Sequence, residues 1–363
     1  MKRDADFDEL ARYPGEWMRG EGPESDIVIS TRIRLARNLA DFPFIRRCSD
    51  EDRLSIERTV RARMDSLTDQ RWKSAHYVDL EPLSEIDRQL LVERQLISRE
   101  IAESDGSRAV AFDVTEGYSV MINEEDHLRI QVMKSGLDVQ NAWEQVNRID
   151  DMLEEVILYA FHPRYGYLTA CPTNVGTGLR VSVMLHLPAL VITEQMDRVF
   201  RSMQRINVTV RGLYGEGSQY TGDFYQVSNQ VTLGYTEAEL LALVGEEVAP
   251  RIIEYERKAR AALLKNNRDD LHDEVSRAMG ILSTARKISS EETMHHLSKI
   301  RLGISLGLIS ELDVKVVNQL FLQSQSAHLQ KLQGRVLGTA ERHARRASFL
   351  QHHLAGKDDP TWN

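Results

Sequence analysis

Up to about Leu233, apolar and polar residues alternate in short runs, such as LRVSVML at 179–185 and VTV at 208–210. Period two predicts strands with one face on a core and the other free for solvent or chemistry. Between these runs lie amphipathic stretches with helical spacing, among them SEIDRQLLVERQLISREIAE, opened by the capping pair Ser84 and Asp87. From Thr236 onward the spacing turns helical. Thr236 and Glu239 form a capping box ahead of Leu240, Leu241, Leu243, Val244 and Val248, and Pro250 is placed to kink or end that helix. Beyond about Ala259 only helical candidates follow, with Ser289 and Glu292 as a second box and LGISLGLIS as a small-residue break. The pattern predicts an α+β domain over residues 1–255 and an all-α domain over 256–363, the latter expected to govern assembly and substrate choice. Its last helix carries Arg335, Arg342, Arg345 and Arg346, which read equally as a binding face or a solvated one.

At 363 residues the chain exceeds one ordinary hydrophobic core, in keeping with two domains. Its 42% hydrophobic and 28% charged residues are those of a globular protein. A net charge of -9 argues against a direct nucleic-acid binder, so any phosphate site must be local. The longest apolar stretch, Val181 to Thr193, is broken by His186 and Pro188 and is too short to span a bilayer. The acidic start MKRDADFDEL lacks the apolar region of a signal peptide, and Cys48 and Cys171 are too few for a disulfide framework. A cytoplasmic location is expected.

Four segments place charged groups beside strand-like runs. In DIVISTRIRLARN, Arg32 and Arg34 alternate with Ile33 and Leu35, so both guanidinium groups share a face and call for an anion. In YSVMINEEDHLRIQV, Glu124, Glu125 and Asp126 form an acidic turn between two strands, with Arg129 on the exit strand. Three adjacent carboxylates repel unless a cation or metal neutralises them. In LTACPTNVGTGLRVSVMLHL, Gly176 and Gly178 flank Thr177 in a loop whose N–H groups could cradle phosphate, with Cys171 at its mouth and Arg180 on the next strand. In INVTVRGLYGEGSQ, Arg211 ends a strand and Glu216 sits between Gly215 and Gly217, on a loop able to close over a substrate. Several arginines can neutralise transferred phosphate without a Walker lysine, while two glutamates can hold a guanidinium and take its proton.

These segments resemble the signatures of the phosphagen (ATP:guanido) kinases: NEEDHLR at 123–129 and CPTNVGTGLR at 171–180, with STRIR at 30–34, RGLYGEGS at 211–218 and SNQVTLGYTEAEL in the same order. The resemblance implies an antiparallel sheet flanked by helices, with Ser30, Arg32, Arg34, Arg129, Arg180 and Arg211 around the ATP phosphates. It implies Glu125 as catalytic base, Glu216 as second clamp, Cys171 as a contact to the guanidinium, and Glu124 as a partner of Mg through water.

Only 31 residues precede Arg32, too few for the independent N-terminal domain that encloses a free amino acid in the small-molecule kinases of the family. With an added helical C-terminal domain, this layout resembles the bacterial protein-arginine kinases. That branch implies a homodimer acting on exposed arginines of protein substrates, a zinc-finger-containing activator, a heat-shock repressor among its targets, and marking of proteins for a Clp unfoldase in stress response. It also implies an allosteric phosphoarginine site at Arg342, Arg345 and Arg346, where His343 stands in place of the motif's Asp and removes a carboxylate. Two rival readings are a kinase of a free guanidino metabolite and a non-catalytic phosphoarginine-binding adaptor.

Overall fold

The computed structural model describes residues 5–212 and 221–355. Its strands are β1 (Val28–Arg37), β2 (His76–Asp79), β3 (Ala109–Phe112), β4 (Tyr118–Ile122), β5 (Leu128–Ser135), β6 (Phe161–His162), β7 (Gly166–Tyr167), β8 (Leu179–His186), β9 (Val208–Arg211) and β10 (Phe224–Asn229). β6 and β7 form a small hairpin, and the other strands form one eight-stranded sheet in the order β2-β3-β4-β5-β1-β8-β10-β9. Every pairing in that sheet is antiparallel. The alternating runs therefore form the strands expected of them.

Alternation divides the sheet into two unlike faces. Ile33 and Leu35 of β1, Ile130 and Val132 of β5, and Val181 and Val183 of β8 point into the main core. The helix Val139–Glu154 closes that core with Ala142, Val146, Ile149 and Leu153. The opposite face is polar at its centre but apolar at one end, where Met133, Met184 and Phe224 lie. That end is covered by the helices Ser290–Ser305 and Val314–Gln323 through Met294, Leu297, Leu320 and Phe321. Phe224 meets Phe321 edge to face at 4.7 Å between ring centres.

The C-terminal helices thus pack directly on the sheet, beside its polar centre. A buried polar network joins the two parts. Arg301 donates to the carbonyls of Ser25 (2.7 Å) and Asp26 (3.0 Å) and to His186 Nδ1 (2.9 Å). His186 Nε2 then donates to Ser298 Oγ (2.8 Å), and Ser298 donates to Asp223 (2.5 Å). Burial, with Arg301 and Arg260 beside it, holds His186 well below the usual histidine range, which fits a neutral ring in this chain of donors and acceptors. Residues 255 and 256, the boundary expected from the sequence, lie within one continuous helix, Ala249–Asn266.

Both capping boxes expected before the helical region place their hydroxyls as caps, Thr236 over Glu239 N and Ser289 over Glu292 N. The helix that opens at Glu237 is interrupted just ahead of Pro250: its regular part ends at Ala242, the π-helical turn Leu243–Val248 follows, and Pro250 lies in the first turn of Ala249–Asn266. The run SEIDRQLLVERQLISREIAE is likewise not one helix. It forms Glu85–Glu93 and Arg99–Glu103, separated by a turn in which Gln95 adopts φ 60°.

Candidate active site

Strand register gathers the arginines. Arg34 lies opposite Gln131 of β5 and Arg180 of β8, Arg32 opposite Met133 and Ser182, Arg129 opposite Ala36, and Arg211 opposite Gln226. Directly opposed residues share a sheet face, so β1, β5, β8 and β9 deliver their cations to one side. There they line a cleft of about 690 Å³ together with Glu124, Glu125, Cys171, Thr173 and Asn174.

Arg32 donates to Gln95 Oε1 (3.0 Å) and Gln226 Oε1 (2.8 Å). The Nε of Arg34 is buried with no hydrogen-bond partner. Burial first, then Arg129, Arg180 and Arg211, pushes Arg32 down to about 10. Burial, followed by Arg32, Arg129 and Arg180, drives Arg34 well below its ordinary value. Cations so placed stabilise a multiply charged anion far better than they tolerate one another.

The acidic turn separates three carboxylates by their partners. Glu124 accepts from Ser98 Oγ (2.6 Å) and from the Glu125 N–H (2.7 Å), and it pairs with Arg129. Asp126 Oδ1 accepts from Asn38 Nδ2 (2.6 Å) and from the Ala170 N–H (2.7 Å), tying the turn to the segment that carries Cys171. Glu125 is left facing the cleft with its side chain 33% exposed and Arg129 Nη2 at 3.7 Å. Burial raises Glu125 above the ordinary carboxylate range, Arg129 opposes this, and Asp126 and Glu124 add to it. A raised, cleft-facing carboxylate suits a general base. Arg129 supplies the cation that the three adjacent carboxylates required.

Cys171 precedes the short turn Pro172–Asn174, and its Sγ lies 3.1 Å from Thr173 Oγ1. Of the loop expected to cradle phosphate, Thr173, Asn174 and Gly178 line the cleft, and part of its backbone is already engaged within the fold. The N–H groups of Asn174, Val175 and Gly176 are bonded to Cys171, Pro172 and Tyr167 carbonyls. Gly178 has φ 64°, and a Cβ there would lie 2.6 Å from Ala36 O. Arg37 pins the same loop: it pairs with Asp150, donates to Thr177 O (2.9 Å) and lies 3.6 Å from the Tyr167 ring centre. This role was not legible from the residues around Arg37.

Ser30, expected near the phosphates, shares the face of Arg32 but is buried toward its apolar end and does not line the cleft. Glu216 lies outside the described residues. In the last helix, Arg346 is buried and donates to Ser324 O (2.7 Å) and Ile288 O (3.1 Å), while Arg342 donates to Leu337 O (3.0 Å). Arg345 is half-buried. Gln95, Ser98 and Gln226 are site residues that sequence reasoning missed. Period two on β10 fixes the face of Gln226, but its place opposite Arg211 comes from the register of β10 with β9.

Residues 55–259 match the family described as ATP:guanido phosphotransferase, C-terminal catalytic domain, and residues 268–363 match the protein-arginine kinase McsB C-terminal domain. The protein-arginine kinase of Halothermothrix orenii is 46% identical over 338 residues, 93% of this chain and 96% of that protein. That of Symbiobacterium thermophilum is 46% identical over 350 residues, 95% of this chain and 98% of that protein. Among solved structures, the duplicated taurocyamine kinase from Schistosoma mansoni with bound transition-state-analogue components aligns with a TM-score of 0.59 and 26% identity, over 70% of this chain and 36% of that one. A lombricine kinase aligns with a TM-score of 0.58 and 23% identity, over 72% of this chain and 73% of its own, a likeness of fold.

Proposed function

This chain belongs to the protein-arginine kinase family of ATP:guanido phosphotransferases, and from that membership we propose how its cleft works. The enzyme transfers the γ-phosphate of ATP to the guanidinium group of arginine side chains in proteins. The observation that carries the mechanism is that Glu125 and the arginines of β1, β5, β8 and β9 line one cleft.

Arg32, Arg34, Arg129, Arg180 and Arg211 hold the triphosphate, whose negative charge relieves the repulsion among them. The substrate guanidinium enters beside Glu125 and Cys171. Glu125 takes a proton from the attacking nitrogen, that nitrogen forms its bond to the γ-phosphorus, and the bond to the β–γ bridging oxygen breaks to release ADP. Glu216 is retained as the second clamp on the strength of the resemblance alone.

Magnesium belongs to this reading. In it the ion would be bound chiefly by the triphosphate and water. Glu124 would stand behind one such water: it lines the cleft, Ser98 and Arg129 both engage its Oε1, and its Oε2, which accepts from the Glu125 N–H, has a lone pair to spare. When bound, the ion neutralises phosphate charge.

The family resemblance alone supports the wider reading: a cytoplasmic homodimer, a zinc-finger-containing activator, and substrates that include a heat-shock repressor and proteins passed to a Clp unfoldase under stress. No helix among the described residues is long and apolar enough to cross a membrane. The test is to compare transfer to free arginine with transfer to an arginine-rich protein under the same Mg-ATP. Phosphorylation of the protein alone supports this function, and efficient phosphorylation of free arginine alone refutes it.

A further inference from the structure

Glu93, Arg94 and Gln95 are consecutive, and each grips a different part of the molecule. Glu93 accepts from the backbone N–H groups of Ala327 (2.9 Å) and His328 (3.1 Å), at the start of the helix Ser326–Leu332, and from His328 Nδ1 (2.8 Å). Arg94, with its side chain only 1% exposed, pairs with Glu116 and donates to Tyr13 O (2.7 Å). Its Nη1 lies 3.2 Å from His328 Nε2. A guanidinium only donates, so Nε2 accepts and Nδ1 carries the proton given to Glu93. Gln95 then closes the helix Glu85–Glu93 in the left-handed conformation usually left to glycine. Its carbonyl accepts from Gln131 Nε2 (2.5 Å), and its side-chain oxygen accepts from Arg32 Nη1 (3.0 Å).

We propose that Gln95 is a positioning residue for the nucleotide site: it aims Arg32 into the cleft, and the clasp of Glu93 and Arg94 on His328 sets its own place. The inference rests on the reading of Arg32 as a phosphate ligand. The geometry explains why a strained turn is kept here. Arg129, Arg180 and Arg211 repel Arg32, and Gln95 and Gln226 are the acceptors that hold it against them. Because Gln95 follows two residues anchored on the helical layer, that layer becomes part of the frame that orients a phosphate-binding side chain.

The experiment uses the full chain and measures KM for ATP and for a folded arginine-bearing protein in Gln95→Met, His328→Asn, their double variant and Arg32→Ala. Gln95→Met keeps the size of the side chain but removes the acceptor, and it should raise the ATP KM about 3- to 10-fold, the range of one hydrogen bond. Its KM for the protein substrate should stay unchanged, which general damage to the fold would not allow. His328→Asn should raise the ATP KM in the same direction, and the double variant should be no worse than Gln95→Met, since both changes act through one side chain. If His328→Asn does not fold, Glu93→Gln takes its place. The inference is overturned if Arg32→Ala raises the ATP KM while Gln95→Met does not, or if the two effects multiply in the double variant. If Arg32→Ala itself leaves the ATP KM unchanged, the underlying reading of Arg32 fails instead.

Discussion

Arg34 lies directly opposite Arg180 across the ladder of β1 and β8, so two guanidinium groups occupy one cross-strand position. Like charges so placed destabilise a sheet until an anion joins them. The fold disfavours the charged form of Arg34, so the unliganded protein sacrifices stability while that charge is present. Arg34→Met should therefore raise the melting temperature of the nucleotide-free protein. The same change should weaken ATP binding about 10- to 100-fold, the loss of charge-assisted hydrogen bonds. Calorimetric titration and melting curves check both signs, and an unchanged ATP affinity would move the nucleotide site elsewhere.

The second prediction concerns pH. Glu125 acts as base only when ionised, and burial raises its titration above the ordinary carboxylate range. Turnover at saturating ATP should fall as pH drops through that raised value. Arg129 holds the group down, so Arg129→Met should move the acidic limb to higher pH. A pH–rate profile of the two proteins measures this. A limb that stays in place or moves to lower pH would show that Arg129 does not tune the base.

How much of this was legible in the sequence depends on the range of the forces involved. Arg32, Arg34 and Arg180 follow from period two, because alternation fixes the face once a strand exists. The acidic turn between β4 and β5 was equally readable. Gln95 was not, since it lies in a run with helical spacing and no Pro or Gly to break it. The break comes from distant partners: Gln131 binds the Gln95 carbonyl and Ser119 binds that of Leu96. Arg346 was hidden for a similar reason. It looks like its neighbours in sequence, yet it is buried against the carbonyls of Ser324 and Ile288.

The third prediction tests the union of sheet and helices. Arg301 donates to the buried His186 Nδ1 and Asn318 Oδ1 and to the half-buried Ser25 carbonyl, so Arg301→Ala takes the donor from all three, while Asp26 O keeps Arg260. The loss should be about 2–4 kcal/mol, visible as a lower urea midpoint. A chain ending near Arg257 would uncover Met133, Met184 and Phe224 and should bind a hydrophobic dye and melt without full cooperativity. An unchanged midpoint, or a truncated chain that melts like the parent, would show that the helical layer is dispensable to the sheet.

Glu125, on this mechanism, is the base that drives phosphate from ATP onto a protein arginine. Glu125→Gln keeps the shape of the side chain and removes its charge, and because burial already disfavours that charge the variant should melt no lower than the parent. The decisive measurement is intact-protein mass spectrometry, with acid avoided, of an arginine-bearing protein incubated with Mg-ATP and either enzyme, alongside calorimetric ATP binding. The parent should add phosphate to arginine, and the variant should bind ATP normally while transfer falls about 100- to 10,000-fold. A variant that keeps more than about a tenth of the parent's transfer would contradict the assignment.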